Sequence, residues 1–211
     1  MRLVALLLVA SAGLVATPAA APAAAPAAQP AGQPAAAHAK VKSVRAVIIF
    51  DKNTKNPWNS RIIWKAFRGK RLLEQADWRA GSGFGGPHTR DTCARGRGWL
   101  PNGKYGFVQY DNYWGQYIKG RAFFLGSTTC ANGTPRTELF IHIETGNGNR
   151  QCANARGDQL CRWEWPVYND YRSGGCIKMS PKDMLQLTRR YHQYFRAGDR
   201  YPDRVHVRVR S

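Results

Sequence analysis

The segment Val205-His206-Val207-Arg208-Val209-Arg210 alternates without a fault between valines and polar or charged side chains. A two-residue period sends three β-branched groups to one side of an extended chain and three polar groups to the other, so a half-buried strand is expected. Earlier in the chain, Val44 to Phe50, Arg61 to Lys65, Tyr105 to Tyr110, Gly120 to Leu125 and Leu139 to Glu144 are short runs rich in β-branched or aromatic residues. Asn, Gly and Pro clusters separate them, the punctuation of an all-β sandwich or barrel. One helix interrupts the pattern. Ser180 fits an N-cap, Pro181 the first helical position and Asp183 the capping acid. Met184, Leu187, Tyr191 and Phe195 then share a face, and Gly198 is expected to end the helix. The expected fold is mainly β, a sandwich or barrel with one helix toward the C-terminal side and no internal repeat.

Charge and composition divide the chain in two. Its 211 residues include 32 Lys and Arg against 13 Asp and Glu, a formal net charge of +19. Residues 1–39 hold one basic residue, Arg2, and no acid, so the charge belongs to residues 40–211. The 7 Trp, 9 Tyr and 8 Phe all follow position 49, which supplies a core and excludes a disordered basic tail. Arg2, the apolar run Leu3 to Val15 and the small residues after it follow the order of a secretory signal peptide. Thr17 to Ala39 is an Ala/Pro spacer whose prolines interrupt helix, and Ala37-His38-Ala39 is one of several small-residue sites at which a peptidase could cut. The expected organisation is residues 1–39 as signal peptide and spacer, and 40–211 as the folded domain. The apolar run is too short to cross a bilayer comfortably, so no transmembrane segment is expected in a protein that is secreted or associated with the cell wall.

The cysteines are Cys93, Cys130, Cys152, Cys161 and Cys176. An odd number in an exported chain suggests two disulfides and one free thiol. Cys152 and Cys161 flank a Gly/Asn-rich stretch and could staple a short loop, which leaves Cys93 with Cys130; spacing alone does not fix this connectivity. No C-x-x-C occurs, and His142-Ile143-Glu144 lacks the downstream P-C-x-x-C of a zinc deaminase, so neither a metal nor a cofactor is expected.

The chemistry gathers at Tyr171-Arg172-Ser173-Gly174-Gly175-Cys176-Ile177-Lys178-Met179-Ser180. Two glycines let the backbone turn sharply and let a substrate carbonyl approach main-chain N–H groups. A thiol there can attack a carbonyl while the N–H groups of Gly175 and Cys176 hold the oxyanion. The nucleophile needs a base. His38 lies in the spacer, His206 on the outward face of its strand, and His192 reads as a surface residue of a basic helix. His142 lies on a strand, on the face opposite Ile141 and Ile143, and a strand-borne imidazole is held rigidly, as a general base must be. Ser173 is either a turn residue or the group whose hydroxyl or carbonyl orients the imidazole, a task that a neighbouring main-chain carbonyl could also perform. Gly81-Ser82-Gly83-Phe84-Gly85-Gly86 lacks the Lys-Ser/Thr ending of a phosphate loop and reads as a flexible loop. Asp111 to Tyr117, with Trp114 and Tyr117, reads either as a mobile substrate wall or as core packing.

His142 together with Ser173-Gly174-Gly175-Cys176-Ile177-Lys178 resembles the active site of the L,D-transpeptidase catalytic domain family (YkuD-like). Members carry a His at the end of one strand and a downstream S-x-G-C followed by an aliphatic residue and usually an Arg. Val44 to Asp51 is similar to the family's opening strand, Gly98-Trp99-Leu100-Pro101-Asn102-Gly103-Lys104-Tyr105 to its T-P-x-G-x-Y turn, and Met179 to Leu187 to its closing helix. Four features depart from the pattern. Gly174 stands where many members have a second His, Ile143 where Gly usually follows the first His, and Lys178 where Arg is usual; His142 and Cys176 are also 34 residues apart, more than is common. The resemblance implies a secreted cysteine L,D-transpeptidase or carboxypeptidase that works on peptidoglycan stem peptides through a Cys176 acyl-enzyme. His142 would serve as base and Ser173 as its support, with Gly174, Lys178, Trp114 and Tyr117 contacting substrate.

The charge carries its own expectations. A basic surface interleaved with aromatics also suits nucleic acid. Export, however, sends the chain to anionic cell-wall polymers, so these and peptidoglycan are the expected partners, with no specific nucleic acid and a monomeric chain. A wall-binding protein that keeps the fold with weak or no activity is the alternative, as is a secreted nucleic-acid binder.

Overall fold

The computed structural model describes residues 43–211; the signal-peptide, spacer and cleavage readings fall outside the described residues. Among the described residues nine strands form two mixed sheets, joined by one α-helix. The strands are β1 (Val44–Asp51), β2 (Ser60–Arg68), β3 (Arg71–Ala80), β4 (Gly103–Tyr105), β5 (Val108–Trp114), β6 (Lys119–Thr129), β7 (Pro135–His142), β8 (Ile177–Lys178) and β9 (Val205–Arg210). The helix, α1 (Pro181–His192), lies between β8 and β9. The first sheet has the order β3-β2-β1-β9-β4 and the second β5-β6-β7-β8. Among the described residues no helix is long and apolar enough to cross a membrane.

Register explains why the alternating segments meet. β9 runs parallel to β1 with Ala46, Ile48 and Phe50 opposite Val205, Val207 and Val209, so the buried positions of both strands face the same side. Ile62, Trp64 and Ala66 of β2 join them, and Phe123, Leu125, Leu139, Ile141 and Ile177 of the second sheet complete one apolar cluster. Met184, Leu187 and Tyr191 of α1 plug the same cluster, with the Tyr191 ring edge-on to Phe123 at 5.6 Å. Each fully buried side chain of this kind contributes about 1.5–3 kcal/mol of transfer free energy.

The helix starts as its sequence dictates. Ser180 Oγ accepts the Asp183 N–H at 3.2 Å, and Pro181 occupies the first turn, where a missing N–H costs nothing. It ends at His192 and not at Gly198. Phe195 is still buried, stacked on Tyr191 at 5.2 Å, but it hangs from the turn that follows. The Tyr105 to Tyr110 run is two strands: β4 pairs with β9 in the first sheet and β5 with β6 in the second, so the chain changes sheet between Tyr105 and Val108. The Arg61 to Lys65 run is the middle of a longer hairpin strand whose partner, β3, is exposed along much of its length and therefore carries no apolar period.

Candidate active site

β7 and β8 pair in parallel, with Ile141 opposite Ile177 and His142 opposite Lys178. This short pairing brings the turn Ser173–Cys176, which leads into β8, beside the strand that ends in His142. The turn is fastened from several directions. Ser173 N–H donates to Gly83 O at 3.1 Å, and its hydroxyl donates to Cys176 O. Gly175 N–H reaches Ser173 Oγ at 3.4 Å, a long bond, while Ser82 Oγ donates to Gly175 O at 3.4 Å and accepts the Leu100 N–H at 3.0 Å. Gly81 and Lys178 exchange main-chain hydrogen bonds of 3.0 and 2.8 Å, which tie the end of β3 to β8. The Gly81 to Gly86 stretch, expected to be a flexible loop, is thus in its first half a scaffold for the cysteine turn. Ser82 is wholly buried, and a Cβ on Gly81 would lie 2.5 Å from Tyr171 O.

Arg136 is the residue that sequence reasoning missed. It is buried on β7, and its guanidinium donates to the carbonyls of Gly98 at 2.9 Å, Gly174 at 3.3 Å, Trp99 at 3.4 Å and Thr92. The planar fork suits such a task, since it presents five donors in fixed directions. Gly175 makes room for it: the backbone there has φ 133°, and a Cβ would sit 2.0 Å from the Arg136 Nη2. No local motif marks Arg136, because its partners are main-chain carbonyls drawn from distant loops.

Two disulfides, Cys93–Cys130 and Cys152–Cys161, leave Cys176 as a free thiol, half-buried. Its Sγ donates to Glu138 O at 3.6 Å. Burial pushes this thiol up to about 11, against the opposing pull of the Lys178 and Arg136 charges. His142 closes β7 and is buried, with Nδ1 3.1 Å from Ile143 O. That contact assigns the proton to Nδ1 and leaves Nε2 as an acceptor. Burial first, and the Lys178 ammonium second, hold the imidazole down to about 3. Both groups are therefore neutral at neutral pH.

Other expected site residues fall differently. The imidazole takes its orientation from the Ile143 carbonyl and not from Ser173, whose hydroxyl is spent on the cysteine turn. Lys178, expected to contact substrate, is buried and its ammonium is paired with Glu144 Oε1. Burial raises the Glu144 carboxyl to about 7 although the Lys178 charge opposes this. Gly174 is exposed beside Gly96. Trp114 and Tyr117 are 71 % and 68 % exposed, which excludes core packing. Tyr117 instead lines a cavity of about 300 Å³ with Thr145, Gln159 and Leu160. His192 bonds Gln109 and Asp111 at 3.2 and 3.1 Å, and His206 lines a groove of about 630 Å³ with Arg45, Lys70, Lys104, Arg204 and Arg208.

No family model matches this sequence, and no curated protein matches it. Solved structures similar to it include Bd1075 of Bdellovibrio bacteriovorus, at 12 % identity and a TM-score of 0.46, covering 79 % of this chain and 48 % of that one. The helical cell shape determining protein Pgp2 of Campylobacter jejuni is 14 % identical with a TM-score of 0.45, covering 81 % of this chain and 49 % of its own. A mutant of Pgp2 gives the same identity and a TM-score of 0.49 over 81 % of this chain and 48 % of that one. The chain spans about half the length of these solved structures.

Proposed function

We propose that the protein is an exported cysteine acyltransferase of the L,D-transpeptidase type, acting on peptidoglycan stem peptides through an acyl-enzyme on Cys176. The observation that carries this reading is the placement of the one free thiol among the described residues. It is half-exposed at a Gly-Gly turn that Arg136, Ser82 and Gly83 clamp, beside the strand that ends in an acceptor-ready His142. The two disulfides suit an oxidising compartment.

In the reaction, Sγ leaves the Glu138 carbonyl and turns toward the imidazole, a small loss because a thiol is a weak donor. As Sγ attacks the carbonyl carbon of the L-centre ahead of a terminal D-Ala, its proton passes to His142 Nε2. The Gly175 and Cys176 N–H groups face the tetrahedral oxyanion, which requires Gly175 N–H to give up its long bond to Ser173. The arginine and lysine charges near the thiol favour the anionic sulfur. Collapse expels D-Ala, whose amine takes the proton from His142 and leaves a thioester. The side-chain amine of a second stem, or water, then attacks the thioester, returns a proton through His142 and frees the thiol.

Release of D-Ala from a tetrapeptide stem tests this reading. His142→Ala should slow it by about 10² to 10⁴, the usual worth of a positioned acid-base group, while His206→Ala should leave it unchanged. Equal rates for the two folded variants would remove His142 from the mechanism. A second reading, a basic wall-binding module with weak or no catalysis, draws on the protonated resting thiol and on the groove lined by Arg45, Lys70, Lys104, Arg204 and Arg208. A folded wild-type protein that binds walls but releases no D-Ala would favour it.

A further inference from the structure

We propose that Glu144, Asp158 and Asp170 form a calcium site that clips the Cys152–Cys161 loop to the segment entering the cysteine turn. One ligand oxygen from each of the three lies within 4.8 Å of the others. Two oxygens bound to one Ca²⁺ at about 2.3–2.6 Å can be no more than about 5 Å apart, whereas Mg²⁺ would require about 4 Å or less. The group therefore needs at most a slight contraction to close on the larger ion, and a much greater one for Mg²⁺.

The second observation is the bonding of the two inner carboxylates. Glu144 and Asp170 are 3 % and 1 % exposed. Each has one oxygen satisfied by the protein: Glu144 Oε1 by the Lys178 ammonium, and Asp170 Oδ2 by the N–H groups of Glu164 and Trp165. Each leaves its other oxygen, Oε2 and Oδ1, buried with no hydrogen-bond partner. A buried bare carboxylate oxygen is costly, and two of them in one cluster point to a missing positive charge. When all three carboxylates are ionised, the single ammonium of Lys178 leaves two negative charges over, which one divalent cation would balance. The donors are all hard oxygens, with no imidazole or thiolate in the group, which favours calcium over zinc or copper. Asp158 is exposed, so the site has an open side for ion access and water ligands.

The three come from separate stretches, just after β7, within the disulfide loop and just before Tyr171, so no local spacing discloses them. The expectation of no metal rested on the lack of a cysteine motif, which does not bear on an oxygen-only site. The proposal is independent of any catalytic role for Cys176.

Titrating chelator-stripped protein with CaCl₂, by calorimetry and by thermal denaturation, tests it. One Ca²⁺ should bind per chain with a Kd of about 10⁻⁴ to 10⁻³ M, the range of extracellular modules, and should raise the melting temperature. MgCl₂ at the same concentration should shift it less. Asp158→Asn removes an exposed ligand without disturbing the core and should weaken binding roughly tenfold or more through the lost ligand charge. Asp77→Asn, an exposed carboxylate on β3, should bind as the wild type does. Absence of saturable heat and of any melting shift, equal response to Mg²⁺, or unaltered binding in Asp158→Asn would each overturn the site.

Discussion

His142 should make the fold acid-labile, and the size of the effect follows from its burial. In the unfolded chain this imidazole titrates near 6.5, whereas in the fold burial and Lys178 hold it down to about 3. Between those values the unfolded state binds the extra proton, so stability is fully present above about pH 6.5 and is lost as pH falls toward the folded value. At about pH 5 the deficit is roughly 1.5 pH units, and at about 1.4 kcal/mol per unit it comes to about 2 kcal/mol. With a urea m-value of about 2 kcal/mol per molar, the unfolding midpoint should fall by roughly 1 M between about pH 8 and pH 5. Glu144 acts with the opposite sign. Its folded carboxyl titrates near 7 against 4.5 for a free one, so across that interval the folded state binds more protons and gains stability on acidification. The informative quantity is therefore the difference between wild type and His142→Gln, since the amide cannot titrate and can still donate to Ile143 O. Urea denaturation of both proteins at the two pH values measures it. Midpoints that move in parallel would refute the burial of a neutral imidazole at the end of β7.

Arg136→Gln should lower stability by about 2–4 kcal/mol, because it strips charge-assisted bonds from the buried carbonyls of Gly98 and Gly174; thermal denaturation reads this, and a change below about 0.5 kcal/mol would contradict the clamp. Gly174→His should cost stability and slow acylation, because its Cβ would stand 3.2 Å from the Gly96 Cα and O and the adjoining loop must move. Unchanged melting would show that this loop yields freely. Lys70→Glu with Arg208→Glu should weaken sedimentation with isolated cell walls, and added salt should erase the difference, since both charges are exposed in the basic groove. Wall binding that ignores both charge and salt would place the contact elsewhere.

What could be read from the chain and what could not divide by the range of the contacts. β1 and β9 show their period because one face of each is buried against the core, and Ser180 and Pro181 announce α1 because capping is local. β3 hides because much of it is exposed, and β8, at two residues, is too short for any period to appear. Cys176 and His142 stand out in the sequence as candidates because a thiol after two glycines and a histidine amid β-branched and aromatic residues are each a local oddity. Arg136 and Ser82 do not, since they act on carbonyls 38 and 93 residues away. Ser173 misled for a related reason: its neighbourhood suggested a partner for the imidazole, while the fold spends its hydroxyl within its own turn. Lys178 misled as well, because the sequence does not show that Glu144 lies within reach across β7 and β8.

Intact-mass analysis after exposure to a tetrapeptide stem bears most directly on Cys176 as nucleophile. The expected result is a single covalent species heavier by the acyl portion of the stem without its terminal D-Ala, mapping to Cys176 after digestion and absent in Cys176→Ser. A folded wild-type protein that holds the stem yet shows no mass increase, or one that carries the adduct at another residue, would contradict the acyl-enzyme.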